Sequence, residues 1–162
     1  MNKKIINISI LTALYVVLCF ISAPISFGPI QFRISEILCL LAIKYKWSII
    51  SLTLGCFISN LLFGGLGIID VIFGSIATFI ACLLAYRFRN IKIKNVNLLS
   101  ALTIVLINGL IIGIEFGFIN QNINVIPLYI VEITISEFIT IVIFGLPIYK
   151  KLALLIEKVL KK

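Results

Sequence analysis

Histidine is missing from the 162 residues, and only one aspartate occurs among the six acids. Without histidine there can be no H-E-x-x-H zinc site and no Ser-His-Asp triad. A single aspartate leaves no paired-aspartate chemistry, and every lysine falls outside the apolar runs, so neither catalysis nor a metal site is expected. No G-x-x-x-x-G-K-[ST] phosphate loop is present, which argues against an internal nucleotide-hydrolysing engine. The four cysteines, Cys19, Cys39, Cys56 and Cys82, form no C-x-x-C and lie within apolar runs, so they read as free thiols filling a core. Charge is scarce too. Charged residues make up 12% of the chain, against roughly a quarter in a soluble domain.

What the chain has instead is apolar length. Hydrophobic residues reach 62% and the mean hydropathy is +1.24, too much to be covered by the few polar residues left. The expected fold is an all-α integral membrane protein, a single membrane domain over 1–162. A bilayer crossing needs roughly 20 apolar residues, which leaves room for five or six. The polar interruptions divide the chain into six spans at about 5–23, 33–43, 47–63, 70–86, 97–117 and 127–148. The first could pass for a secretory signal, but its apolar run is longer than a signal core and no clean small-x-small cleavage site follows. The second is short, with ten residues between Arg33 and Lys44, unless it begins near Ile30 after Pro29. Short helices inside membranes belong where they line a cavity.

Placing the cations orients the bundle. With the N-terminus in the cytoplasm, thirteen of the fourteen Lys and Arg residues fall in inner segments and only Arg33 lies outside. The positive-inside rule is then met at every inner loop, with both termini cytoplasmic. The net charge of +8 is therefore a topology signal, and no nucleic-acid partner is expected. The final segment, 150–162, repeats Leu152, Leu155, Ile156 and Val159 between lysines. It reads as an amphipathic helix that either lies on the inner leaflet or extends the sixth span.

The acids run the other way. Glu36, Asp70, Glu115, Glu132 and Glu137 all fall in the outer half of the bundle, and only Glu157 lies inside. Because a charge at the bilayer centre costs roughly 2.5–3.5 kcal/mol on insertion scales, this gathering predicts a polar cavity open to the outside. Arg33 and Glu36, three apart, can pair on a helix. Gln31 offers an amide beside them, and Phe27 and Phe32 offer flat stacking surfaces. Asp70 follows a glycine-rich turn where a helix N-cap belongs, with Gly74 and Thr78 leaving an open face below it. Asn60 can bond a neighbouring helix. Asn108 and Glu115 are seven apart, about 20° on a helical wheel, and so share a face. Glu132 and Glu137 lie about 140° apart and cannot both face one cavity. Ser9 and Ala13 form a small-x-x-x-small pair on the first span, which permits close helix approach.

The stretch Ser26-Phe27-Gly28-Pro29-Ile30-Gln31-Phe32-Arg33-Ile34-Ser35-Glu36 resembles the signature of the QueT family. These are substrate-binding S components of energy-coupling factor (ECF) transporters, assigned to queuosine precursors. The likeness continues through Gly55-Cys56 to Asn60, through Asp70-Val71-Ile72-Phe73-Gly74-Ser75-Ile76-Ala77-Thr78, to Asn108 with Gly113 and Glu115, and to Glu137 with Gly145-Leu146-Pro147. Ser136 departs from the family, which has glycine there, and Glu132 matches no family position, which favours Glu137 as the pocket-facing acid.

The resemblance implies six helices, a solute bound from outside and no cofactor in this chain. It also implies docking, through the Ser9 and Ala13 face, on a transmembrane T component with two ATPase subunits that hydrolyse ATP. The expected ligand is queuine or a related 7-deazaguanine base, whose ring N–H and exocyclic amine one carboxylate can accept together. The site residues this implies are Gln31, Arg33, Glu36, Asn60, Asp70, Asn108, Glu115 and Glu137. Glu36, Asp70 and Glu137 are the expected acceptors, and Arg33 the orienting partner of Glu36. Two other readings are an S component for another nutrient, such as a vitamin, and a membrane assembly protein whose acids only join helices. Isoleucine outnumbers leucine and lysine dominates the cations, a bias of AT-rich genomes that suits a low-GC Gram-positive bacterium.

Overall fold

The computed structural model describes residues 3–26 and 31–160. Phe27 of the expected stacking pair, Gly28, Pro29 and Ile30 lie outside the described residues. The described chain is all helical apart from loops and one isolated bridge. Helix α1 spans Lys3–Ile21, and a single turn, α2, covers Ala23–Ser26. A 3-10 helix follows at Ile34–Ile43, and then come α3, Ser48–Phe63, α4, Ile68–Arg87, and α5, Leu98–Ile119. The last stretch runs through α6, Ile126–Glu137, a π-helical segment, Phe138–Gly145, and α7, Leu146–Leu160.

Four of these runs are long and apolar enough to cross a membrane: Lys3–Ile21, Ile68–Arg87, Leu98–Ile119 and the 36-residue Ile123–Lys158. Ile34–Ile43 and Ser48–Phe63 are shorter apolar helices. The expected sixth span and the amphipathic tail are thus consecutive turns of one helical run. Its last part packs back on the bundle, because Ala153 and Ile156 are buried and Lys44 Nζ bonds Glu157 Oε2 at 3.2 Å.

The 3-10 helix occupies the middle of the bundle and packs against α1, α3, α4, α5, α7 and the π-helical segment. Leu38, Cys39, Leu40, Leu41, Ala42 and Ile43 are all buried, as a helix apolar on every side must be. Runs longer than three or four residues are uncommon in this geometry. Here ten residues rise about 20 Å, against about 15 Å for an α-helix of equal length, so the short segment reaches further than its residue count suggests. The three-residue repeat also stacks side chains at i and i+3 along one edge. That places Glu36 directly before Cys39, whose Sγ donates to Glu36 Oε2 at 3.0 Å.

Around this centre the helices meet through small residues. A Cβ at Gly55 would strike the Tyr15 ring. A Cβ at Gly109, Gly113 or Gly117 would run into Thr134, Ile130 or Ile126, so the α5 face made by one glycine per turn lets α6 lie against its backbone. The outside of the bundle is apolar: Phe20, Leu62, Leu106, Phe118 and Leu128 are each more than half exposed. Such a surface belongs against lipid.

The two ends of the bundle differ. At one, Lys4 and Lys46 share a groove, and Lys44 and Lys150 share another. The α4–α5 connection at this end turns through Lys94 and Asn95, both at positive φ, between the bridged Ile93 and Val96. At the other end Gln31, Arg33 and Asp70 surround a cavity.

Candidate functional site

Two local geometries set the site and correct two expectations. Arg33 does not sit on a helix with Glu36. Its backbone is extended (φ −85°, ψ 93°), one residue before the 3-10 helix starts, so the i, i+3 helical pairing is not available. Its guanidinium turns to α4 instead, with Nη2 3.6 Å from Asp70 Oδ1. Nε donates to the Ser26 carbonyl at 3.2 Å, and Ser26 is fixed in turn by its hydroxyl bond to the Ser22 carbonyl at 2.7 Å. Asp70 is not the helix cap either. Gly67, at φ 70°, precedes α4, and Asp70 lies in the first turn, where the helix dipole favours an acid. The glycine at Gly67 is required because other residues rarely adopt that φ.

Asn60 reaches from α3 to this turn. Its Nδ2 donates to the Asp70 carbonyl at 2.8 Å and to Asp70 Oδ1 at 3.2 Å. The clip depends on Gly74, where a Cβ would collide with that amide, and on Gly64, where one would crowd Asp70 Oδ2 at 2.6 Å. Above it lies a cavity of about 130 Å³ lined by Gln31, Arg33, Gly65, Leu66, Asp70, Ile112 and Phe116. A cavity of roughly 150 Å³ holds one benzene ring, so this one suits a small flat molecule. Ile112 and Phe116 supply apolar walls, and Arg33 and Asp70 a charged edge.

Below the cavity is a second polar group. Glu36 is 1% exposed and accepts from the Tyr15 hydroxyl, from Cys39, and from Asn108 Nδ2 at 3.3 Å. It joins α1, the 3-10 helix and α5, and is not on the cavity wall. Glu137, at the last turn of α6 where the helix widens into the π segment, is buried within electrostatic reach of Glu36 and beside Asn108. Glu132 is half-buried, so of the two acids on α6 it is Glu137 that enters the bundle. Glu115 is fully buried between the wall residues Ile112 and Phe116, within electrostatic reach of Asp70.

The state of these groups is informative. Among the described residues, Asn60 Oδ1, Asn108 Oδ1, both oxygens of Glu115 and Glu137 Oε2 are buried without a hydrogen-bond partner. All five are amide or carboxylate oxygens, which act as acceptors. Buried polar groups are normally paired, and stripping a carboxylate of both solvent and partner is costly. Four buried carboxylates, Glu36, Asp70, Glu115 and Glu137, face a single buried guanidinium. These five oxygens are therefore open to donors from a ligand.

The model of the QueT transporter family matches residues 5–154, nearly the whole chain and every residue just described. The chain belongs to the QueT transporter family. Among curated proteins it is similar to the queuosine precursor transporter QueT of Lactococcus lactis subsp. cremoris (strain MG1363), with 45% identity over 78 residues. That alignment covers 47% of this chain and 45% of the relative, so the chain spans less than half of the curated QueT it matches. No solved structure matches.

All eight expected site residues of this QueT family member are buried. Gln31, Arg33 and Asp70 meet at the cavity. Asn60 stands behind Asp70, Glu115 lies behind the apolar wall, and Glu36, Asn108 and Glu137 form the deeper group. Tyr15 went unnoticed in the sequence, although it is fully buried and bonds Glu36. A lone hydroxyl-bearing aromatic in the middle of an apolar span, one turn from Leu11 and Cys19, was the available signal. Cys56 is more than a core filler, since Arg33 Nη1 reaches its Sγ at 3.8 Å. On the opposite wall of α1, Ser9 and Ala13 are exposed and line a groove with Thr12, Leu54 and Ile58.

Proposed function

We propose that this protein is the substrate-binding S component of an ECF-type importer, taking up queuine or a related 7-deazaguanine base. The observation that carries the reading is the set of five buried oxygens without donors, behind and below a cavity with room for one flat ring. A 7-deazaguanine base brings what is missing: a ring N–H and exocyclic amine side by side, a pyrrole N–H and, in precursors with an aminomethyl substituent, a cation. In this reading the base lies against the Ile112 and Phe116 wall of the cavity, with Gln31, Arg33 and Asp70 at its edge. Glu115 behind the wall, and Glu137 and the Asn60 and Asn108 carbonyls beyond it, accept from the base and its substituent as the site rearranges around them. Glu36 holds the floor. Analogues lacking these donors leave buried acceptors unpaired, which discriminates strongly against them.

Six crossings are part of the same reading. The 3-10 helix and α3, at about 20 and 24 Å, are the second and third, and the lysine-bearing end with both termini faces the cytoplasm. The chain then works in a bacterial cell membrane as a non-enzymatic subunit that draws on ATP hydrolysed by two partner ATPases. The exposed Ser9 and Ala13 groove of α1 supports docking on the T component, since small residues allow a second helix to approach closely.

The test is binding of queuine and its two 7-deazaguanine precursors to the purified protein in detergent, with guanine and thiamine as controls. Saturable binding of a deazaguanine, weakened by Asp70→Asn in a folded protein, is expected. Binding of thiamine in place of any deazaguanine, or of none of the five by folded protein, would overturn the substrate assignment.

A further inference from the structure

A second concave site, far from the cavity, lies at the cationic end of the bundle. Lys4 of α1 and Lys46, just before α3, stand over a groove of about 530 Å³ whose other walls are Trp47, Ile50, Phe79 and Leu83. The polar and apolar parts are ordered along the bundle axis. Leu83 and Phe79 lie one and two turns in from Arg87, the last residue of α4, or about 6 and 12 Å, while the two lysines mark the mouth. Ile50, Phe79 and Leu83 are each more than 40% exposed, so the floor of the groove is open apolar surface. Trp47 stands at the junction, where an amphipathic ring belongs at a membrane interface, and its ring packs against Tyr45 at a 36° tilt with centroids 5.6 Å apart.

The charges decide the occupant. None of the six acids lines the groove, and among the described residues no carboxylate comes within 4.0 Å of Lys46. The neighbouring Lys44, by contrast, is paired with Glu157. A groove with two cations at the mouth, an aromatic collar and an apolar floor complements a molecule with an anionic head and a hydrocarbon tail. The geometry points to a binding site for one anionic glycerophospholipid. Its phosphate sits between Lys4 and Lys46, and its acyl chain lies along Ile50, Phe79 and Leu83. Basic pockets between helices bind lipid head groups elsewhere by this chemistry. The site is independent of the transported substrate. It ties the start of α1 to α3 and α4 in the leaflet where the cationic end lies.

Native mass spectrometry of the full chain, reconstituted with phosphatidylglycerol or phosphatidylcholine of the same acyl chains, tests it. The wild type is expected to retain one phosphatidylglycerol with a preference on the order of thirtyfold, from the combined attraction of two lysines for the anionic head group. Lys4→Gln/Lys46→Gln is expected to bring the ratio to about one. Lys92→Gln/Lys94→Gln, which removes the same charge from the exposed α4–α5 turn, is expected to keep the preference. Equal retention of the two lipids by the wild type would overturn the proposal. So would a preference that survives in the first variant, or one lost equally in the second, which would reduce the effect to net charge.

Discussion

Glu36 and Glu115 are equally buried, at 1% and 0% exposed, and yet they are opposites. Glu36 is surrounded by donors from three elements, the Tyr15 hydroxyl, the Cys39 thiol and the Asn108 amide. Glu115 has neither oxygen partnered. Burial alone says only that a polar group has been taken from water. Whether the protein replaces the lost water separates a residue that holds the fold from one left open for something else. In a bundle whose outside is hydrocarbon-like, the two choices have large and opposite consequences.

Removing each glutamate sharpens the contrast. Glu36→Leu leaves a phenol, a thiol and an amide buried without their acceptor, each unpaired polar group costing about 1–3 kcal/mol. A loss of about 3 kcal/mol or more is expected, read as a large drop in the thermal transition in detergent. A variant as stable as wild type would make the two glutamates alike. Tyr15→Phe deletes one donor to a carboxylate and is expected to cost about 2 kcal/mol in the same assay. A shift within error would remove Tyr15 from the scaffold.

Glu115→Gln is expected to change stability by about 1 kcal/mol or less, toward greater stability, because it relieves an uncompensated buried acid. Strong destabilisation would show that Glu115 is structural after all. Lys44→Met is the reference for a pair in solvent. Its 3.2 Å contact with Glu157 joins side chains 40% and 34% exposed, so a loss of at most about 0.5 kcal/mol is expected. The loss should disappear in high salt. Persistence there would place the pair in a drier setting than its exposure indicates.

Much of this was legible in the sequence because it rests on one-dimensional patterns. Apolar runs located the helices, most of their ends to within a few residues, and the acids gather away from the lysines, toward the end of the bundle where the cavity lies. The Asn108–Glu115 spacing placed both on one buried face of α5. The failures share a cause, which is the backbone geometry between runs. Arg33 and Glu36 were read at α-helical spacing, but Arg33 is extended and the following helix is 3-10, so Arg33 finds Asp70 across the bundle rather than Glu36 along the chain. Asp70 looked like a cap because the glycine turn before it is visible, whereas the start of the helix at Ile68 depends on Gly67 at positive φ. Nothing in the spacing distinguishes a satisfied glutamate from an open one. That depends on Tyr15, 21 residues away, and Asn108, 72 away, a pairing only the packed helices supply.

Titration of the tightest-binding 7-deazaguanine base into wild type and Glu115→Gln decides whether Glu115 has the proposed role of an acceptor held open for a ligand. A thermal transition at or above that of wild type is expected together with affinity weakened at least about tenfold, the loss of one charge-assisted hydrogen bond. Wild-type affinity in the folded variant would contradict it.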